Sequence, residues 1–285
     1  MTAPEPELFA RIERFYDAVP RDVARAETYG GLVLFAREGP GWPYYARPRL
    51  DATEPPSAAD IMAVRARQVD LGLPEAFEWV HETTPDLLAV ARSAGLSVLE
   101  APLMVLDHAA LPDPSALASL PIRILDPDDP AFAGDLAVRR AIAHVGFGAP
   151  GTALGSAGPA ERDAAIVTLP ASEIADERRR AATLRIVSAL AESPRDGAVA
   201  SGILQRVGDV AEVAGVATLP SARRRGLGAA ITAALARHAL ASGVDLLLLS
   251  AGSDDIARVY VRVGFRRIGT ACIAEPAVLP VSAQP

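Results

Sequence analysis

The stretch from 210 to 228 combines a strand, a turn and a helix start with clustered arginines and glycines. The sequence VAEVAGVATLPSARRRGLG predicts a strand over Val210–Leu219, then the turn Arg223–Gly228, then a helix over Leu227–Ala241. The first turn of a helix has backbone N–H groups without intrahelical partners, and its dipole leaves partial positive charge there. Two glycines give an anion access to the backbone, and the arginines add formal charge. The pattern predicts a cradle for a pyrophosphate.

Two other phosphate loops do not fit this chain. A Walker loop needs a lysine, and the sequence contains none. A GxGxxG sequence is present at Gly146–Gly151. It follows a predicted helix rather than a strand and contains a proline, so we interpret it as a flexible loop without nucleotide-binding function.

The spacing Arg223-x-x-Gly226-x-Gly228 between strand and helix resembles the acetyl-CoA loop of the GNAT superfamily of acyl-CoA-dependent N-acyltransferases. The following sequence strengthens the resemblance, because an apolar strand, Tyr260 and the pair Gly264-Phe265 come in the order typical of that family. The resemblance implies a GNAT-type fold, namely a mixed, mostly antiparallel sheet with flanking helices and a splayed pair of parallel strands.

The resemblance also implies where the donor lies. The backbone of Val216, Ala217 and Thr218 would pair with the pantetheine amides as an added strand does. The pyrophosphate would be held by the loop and the helix start, which are Arg223, Arg224, Arg225, Gly226, Leu227, Gly228 and Ala229. The family often has an asparagine seven residues before the tyrosine, and here Ser253 occupies that position.

Glu212 and Tyr260 are the candidate catalytic residues. Acyl transfer to an amine needs a base, and Glu212 lies eleven residues before Arg223, where the histone-acetylating branch of the family has its glutamate. An outward-facing, solvated Glu212 is the alternative. Tyr260 would protonate the leaving thiolate, and a core aromatic is its alternative. A strand N–H near Val216–Ala217 would stabilise the oxyanion.

The rest of the second half is consistent with this fold. We predict short strands, a meander and flanking helices over Pro121–Leu125, Pro130–His144, Ala160–Ala182, Leu184–Leu190, Ala198–Val207, Val244–Ser250, Asp254–Val263 and Arg266–Ala274. The proline-containing segment 107–121 predicts a boundary between an N-terminal α/β domain, residues 1–115, and an acyl-CoA-binding domain, residues 116–285.

The first half of the sequence weakly repeats the order of predicted elements in the second half. It predicts a helix, a strand, a helix and a strand over Ser57–Leu71, Ala76–His81, Pro85–Ala94 and Ser97–Leu106. The segment DATEPPS before the first of these helices has neither glycine nor arginine, so it cannot cradle a pyrophosphate. A degenerate GNAT-like copy without cofactor and an unrelated α/β cap both remain open.

Composition restricts the class of protein. The chain has 285 residues, a net charge of −7 and one cysteine, Cys272. The surplus of acids lies in residues 1–115, which argues against nucleic-acid binding. A single cysteine excludes an internal disulfide and a multi-cysteine metal cluster. We expect a cytoplasmic protein without a membrane segment, a bound metal or a nucleic-acid partner, and leave a homodimer open.

The sequence thus favours an enzyme that transfers an acetyl group from acetyl-CoA to a primary amine by direct attack. A small amine is favoured over a protein acceptor, because a second half that covers the acceptor side would enclose the site. The alternatives are a protein N-acetyltransferase, a non-catalytic acyl-CoA-binding regulator, and an interaction scaffold that binds no acyl-CoA.

Overall fold

The computed structural model describes residues 5–39, 41 and 43–277, and shows a mixed α/β protein with two compact units. The first unit contains the described residues up to Pro102 together with those from Gly269, and the second contains Leu103–Ile268. Both limits fall inside long strands, so the predicted linker 107–121 lies within the second unit. Among the described helices, none has the length and apolar character needed to cross a membrane.

The second unit has the predicted alternation of strands and helices. In chain order it contains β6 (Ile122–Ile124), α4 (Phe132–Phe147), α5 (Pro159–Ala164), α6 (Ala171–Ala182), β7 (Ile186–Ser193), β8 (Gly197–Val207), β9 (Val210–Thr218), α7 (Leu227–Ala241), β10 (Leu246–Ser250), α8 (Asp254–Val261) and the start of β11 (Phe265–Pro276). Pro170 ends the irregular stretch before α6, as predicted for a residue that cannot continue a helix. Strands β6 to β9 form an antiparallel meander, and β10 adds to β9 in parallel.

The first unit contains α1 (Glu5–Ala18), β1 (Ala24–Tyr29), β2 (Leu32–Arg37), β3 (Ala46–Pro48), α2 (Ala58–Asp70), β4 (Phe77–Val80), α3 (Leu87–Ser93) and the start of β5 (Leu96–Leu106). Strands β1, β2 and β3 are antiparallel, and β4 is parallel to β3 at the single pair Ala46↔Phe77. The sequence analysis predicted the part from α2 to β5, and made no prediction for the first 56 residues.

The two units repeat one topology. In each, three antiparallel strands precede a helix, a strand parallel to the third, a second helix and a final strand. The final strands are exchanged. The second half of β5 pairs with β10, as in Val105↔Leu248, whereas the second half of β11 pairs with β4, as in Cys272↔Trp79. The sequence echo between the halves therefore reflects a repeated order of elements.

The core of the second unit positions the turn before α7. Apolar side chains at Leu227, Ile231 and Leu235 are buried at the helical spacing that the sequence shows, so α7 lies flat on the sheet. Gly202 of β8 permits this close packing, because a Cβ there would lie 2.6 Å from Ile231 Cγ2. The other face of the sheet is covered by α4, whose Gly146 packs against Ala217 in the same way, at 3.0 Å.

The strand exchange predicts that the second unit depends on residues before the predicted boundary. A chain of residues 103–268 retains the partner of β10, and we expect it to unfold in one cooperative thermal transition. A chain of residues 116–268 lacks Leu103–Val105 and leaves β10 with an apolar, unpaired edge. We expect this shorter chain to aggregate or to melt without cooperativity in calorimetry; equal melting of both chains would contradict the prediction.

Candidate functional site

The turn between β9 and α7 has an unusual backbone. Strand β9 ends at Thr218, a 3-10 turn spans Pro220–Ala222, and α7 begins at Leu227. Gly226 is the N-cap of α7 with φ +77°, and Arg224 has φ +63°. Left-handed backbone is accessible to glycine but costs a residue with a Cβ about 1–2 kcal/mol. The strained arginine indicates that the loop conformation is fixed by its surroundings.

Six consecutive backbone amides at this turn have no acceptor. In the described part of the chain, no group accepts a hydrogen bond from the N–H groups of residues 224–229, and the first capping bond is Ala230 N–H to Gly226 O. The cap residue has no side chain, and the first turn contains no acid. Unpaired amides at the positive end of a helix dipole favour an anion.

The three arginines of the loop differ in their surroundings. Arg224 and Arg225 are exposed, and neither has an ion pair or hydrogen bond to another residue that the structure describes. Arg223 instead donates to backbone carbonyls at Thr218, Gly146, Ala149 and Ala153, at 2.5–3.4 Å. Burial lowers the pKa of its guanidinium. Its side chain holds the loop after α4. The guanidinium is therefore occupied by protein carbonyls and is not free to make the cofactor contact expected of Arg223.

The glycines of the loop have separate structural reasons. A Cβ on Gly226 would lie 2.0 Å from the carbonyl oxygen of Leu117, so this glycine is required by close packing of the 107–121 segment. That is a different reason from the anion access expected from the sequence. At Gly228 a Cβ would meet Val216 Cγ1 at 3.7 Å, an ordinary contact. A Cβ at Gly228 would therefore fit beside the end of β9 without displacing its neighbours.

Strands β9 and β10 separate next to this turn. They pair in parallel only from Val210↔Leu246 to Glu212↔Leu248. Val216, Ala217 and Thr218 are not paired with β10, whereas Ala217 and Thr218 stay paired with β8. Gly215, with φ +58°, lies where the β8–β9 register shifts, and such a bulge bends a strand. The splayed parallel pair expected of the fold is present, with its open edge beside the start of α7.

Glu212 lies at the last position where the two strands are paired. Its partners are Gln205 on β8 and Leu248 on β10. Ala217 and Ser201 face α4, because Gly146 packs on Ala217 and Ser201 Oγ donates to Arg139 O. Counting along β8 by alternation puts Gln205, and hence Glu212, on that same face. The Glu212 side chain is half-buried and engaged in a polar contact.

Tyr260 lies at the end of α8 in the core of the second unit. Its ring packs edge-on against Phe265, with ring centres 6.3 Å apart, and burial raises the pKa of its hydroxyl to about 12. Tyr260 is thus an aromatic residue of the core, as its structural interpretation predicts. It is also a phenol that keeps its proton at neutral pH.

Ser253 and the GxGxxG segment have local roles. Ser253 is the N-cap of α8, and its Oγ accepts from Ile256 N–H at 3.3 Å, as predicted for a serine at that position. Gly146 and Gly148 lie at the C-terminal end of α4, and the carbonyl of Gly146 accepts a hydrogen bond from Arg223.

Comparison with known proteins agrees with this architecture. The family model described as FR47-like protein matches residues 178–274, from α6 to β11. A GCN5-related N-acetyltransferase from Kribbella flavida has 24% identity, covers 95% of this chain and 96% of its own, and superposes with a TM-score of 0.66. A tandem GNAT protein from the clavulanic acid biosynthesis pathway has 14% identity, 87% and 79% coverage and a TM-score of 0.51.

A third solved structure extends the similarity over the whole chain. A GCN5-related N-acetyltransferase-like protein from Streptococcus suis 89/1591 has 11% identity, covers 95% of this chain and 99% of its own, and gives a TM-score of 0.51. No curated protein matches the sequence. These similarities cover the first half as well as the second, so the whole chain shares the fold, and the expected GNAT-type architecture is confirmed.

The strain at Arg224 predicts a stability difference between two neighbouring substitutions. Arg224→Gly removes a Cβ from left-handed backbone, and we expect a gain of roughly 0.5–1 kcal/mol in the free energy of unfolding after the entropy cost of glycine. Arg225→Gly removes the same charge without relieving strain, because its φ is not positive. We expect it to lose stability in urea unfolding. Equal effects of both substitutions would show that Arg224 is not strained.

Proposed function

We propose that this chain, which has the fold of the GCN5-related N-acetyltransferases, is an N-acyltransferase that moves an acetyl group from acetyl-CoA to a primary amine. The observation that supports this most directly is the run of unpaired amides at residues 224–229 beside the open edge of β9. The two features have complementary chemistry, one for an anion and one for an extended amide chain.

The loop fits the diphosphate of acyl-CoA. Amides of residues 224–229 would donate to the phosphate oxygens, and the guanidinium groups of Arg224 and Arg225 would add charge from solvent. The open edge of β9 at Val216–Thr218 would pair with the pantetheine amides as a neighbouring strand does. Ser253 lies at the start of α8, where its hydroxyl already caps the helix. Arg223 would contribute indirectly, by fixing the loop.

The chemistry assigned to the side chains follows from their positions. When bound, acyl-CoA supplies an acyl group that is activated as a thioester. Glu212 would take a proton from the attacking ammonium, directly or through water. An N–H at Val216–Ala217 would donate to the oxygen that becomes negative during attack. Tyr260, protonated because burial raises its pKa to about 12, would donate a proton or hydrogen bond to the leaving sulfur.

We further propose that the first unit is a GNAT-like copy without a donor site. Its helix α2 corresponds to α7 in the repeated topology, but its start is closed by a capping box. Asp60 N–H donates to Ser57 Oγ at 3.2 Å, and the Asp60 carboxylate accepts from the amides of Ser57 and Gly31. A carboxylate thus occupies the place where α7 would hold a phosphate.

Binding of the donor is the first test. We expect acetyl-CoA to raise the melting temperature and to bind with a stoichiometry of one per chain in calorimetry. Gly228→Asp places an acid in the first turn of α7, where it favours the helix but repels a diphosphate. We expect this variant to fold and to lose the acetyl-CoA shift.

Gly228→Ala is the matched control, because its Cβ has room and adds no charge. We expect it to retain most of the shift. Two sites per chain would contradict the assignment of the first unit, and an undiminished shift in Gly228→Asp would contradict the assignment of the loop.

The roles of Glu212 and Tyr260 are separable by pH. We expect Glu212→Gln to lower kcat by about a hundredfold at neutral pH and to recover at high pH, where the amine is already deprotonated. Tyr260→Phe should lower kcat without recovering, because the tyrosine stays protonated to about pH 12 in the native protein. The measurement is thiol release across pH with a panel of amines. Unchanged turnover in Glu212→Gln would exclude it as the base.

Acetyl-CoA binding without turnover on any amine would instead favour a non-catalytic acyl-CoA-binding protein.

A further inference from the structure

Three arginines are at least nine-tenths buried among the described residues, and two of them have clear partners. Arg47 is ion-paired with Glu13 and packs on the ring of Tyr16. Arg162 donates to the carbonyl of Asp196 at 2.7 Å and is paired with Asp163. A buried guanidinium needs such partners, because removing the charge from water costs several kcal/mol.

Arg180 is the third of these buried arginines, and its guanidinium has no partner among the described residues. It lies in the last turn of α6 and is 9% exposed, with its Nε fully enclosed. Within the described part of the chain, its guanidinium makes no hydrogen bond, ion pair or ring contact. Its exposed neighbour in the same turn, Arg179, is in contrast paired with Asp176.

Arg180 shares a helix face with two carboxylates that serve other arginines. Glu173 and Glu177 precede it by seven and three residues and point at α4, where Arg140 lies 2.7 Å from Glu173. Glu177 is 3.4 Å from Arg140 and 3.6 Å from Arg139. Both Arg139 Nε and Glu177 Oε2 are buried without a hydrogen-bond partner. The network between the two helices is therefore incomplete at several atoms.

No carboxylate balances the charge of Arg180 among the described residues. Arg139 and Arg140 share the carboxylates of Glu173 and Glu177, and Arg180 forms an ion pair with neither. Arg178, the other arginine of this segment, lies over the ring of Phe132 at 4.9 Å and supplies no negative group. One singly charged anion would pair with Arg180, and a carboxylate matches the planar guanidinium with two parallel hydrogen bonds.

The cluster lies on the side of the sheet that carries Glu212. Ion pairs tie α6 to α4, and α4 covers that face. The end of α6 is held at the start of β7 by a hydrogen bond from Arg185 N–H to Arg180 O, at 2.8 Å. Ile186, the first residue of β7, pairs with Gln205, and Gln205 pairs with Glu212. Ile186, which follows the end of α6, and Glu212 thus lie at opposite ends of one row of strand positions.

We propose that Arg180 binds a carboxylate of the acceptor, so that the substrate class is an amine that also carries a carboxylate group. This inference rests on the proposed acyl transfer for its kinetic consequence, but not for the binding of the anion itself. The row from Ile186 to Glu212 spans two strand spacings, about 10 Å, which favours an acceptor whose carboxylate is several bonds away from its amine over an α-amino acid.

Anion binding is tested on the full chain without acyl-CoA. We expect sodium propionate to raise the melting temperature relative to sodium chloride at equal ionic strength, and Arg180→Met to abolish this shift. Arg179→Met, which removes an exposed arginine one position earlier, should keep it. Absence of a propionate shift, or its survival in Arg180→Met, would overturn the proposal.

Specificity is tested by acyl transfer to pairs of amines that differ only by a carboxylate remote from the amine, such as 4-aminobutanoate with propylamine and 5-aminopentanoate with butylamine. In Arg180→Met we expect KM for the amino acid to rise about ten- to a hundredfold, with KM for the plain amine unchanged. Arg180→Lys should recover part of the difference. Equal losses for both members of a pair would indicate a structural role and overturn the proposal.

The two hypotheses fail differently. A propionate shift that depends on Arg180, in a chain that transfers acetyl to no amine, would support the anion site and remove the transferase. Transfer that ignores the carboxylate would do the reverse. Inorganic phosphate is the third probe, and a shift with phosphate but not with propionate would overturn the assignment to carboxylates.

Discussion

Core packing in the second unit holds α7 in place although the backbone amides at its start have no capping side chain. A helix that begins with unpaired amides is normally stabilised by a capping side chain, as Ser57 and Asp60 do for α2. At α7 the cap is Gly226, with no side chain to accept a hydrogen bond. Packing of Leu227, Ile231 and Leu235 on the sheet keeps the helix in place without that cap. The core therefore supports a helix terminus that is available to an external anion.

The same turn depends on the separation of β9 and β10. If these strands stayed paired to their ends, the N–H and C=O groups of Val216–Thr218 would be used within the sheet. The bulge at Gly215 and the early end of pairing at Glu212 prevent this. The open edge of β9 is thus a consequence of this irregularity, and the turn of residues 219–226 joins it to the uncapped start of α7.

Much of this arrangement could be predicted from sequence, because it is local. The period of α7, the glycine at 226, the proline before α6 and the serine cap at 253 all act through neighbouring residues. The exchange of β5 and β11 could not be predicted, because strand pairing between distant segments leaves no local signal. The prediction for Gly226 was incomplete, because the carbonyl of Leu117, which requires a glycine there, comes from a segment more than a hundred residues away.

The arginines show the limit of sequence reasoning most clearly. All of the chain's basic residues are arginine, so residue type alone does not separate a structural guanidinium from a ligand-binding one. Arg223 matches the loop pattern but holds carbonyls, whereas Arg224 and Arg225 beside it are free of protein partners among the described residues. Arg180 belongs to no motif, and only its burial without a partner distinguishes it from Arg179. A guanidinium that the fold holds largely out of solvent without a protein partner is informative, because a ligand with two acceptor oxygens can pair with it without displacing another residue.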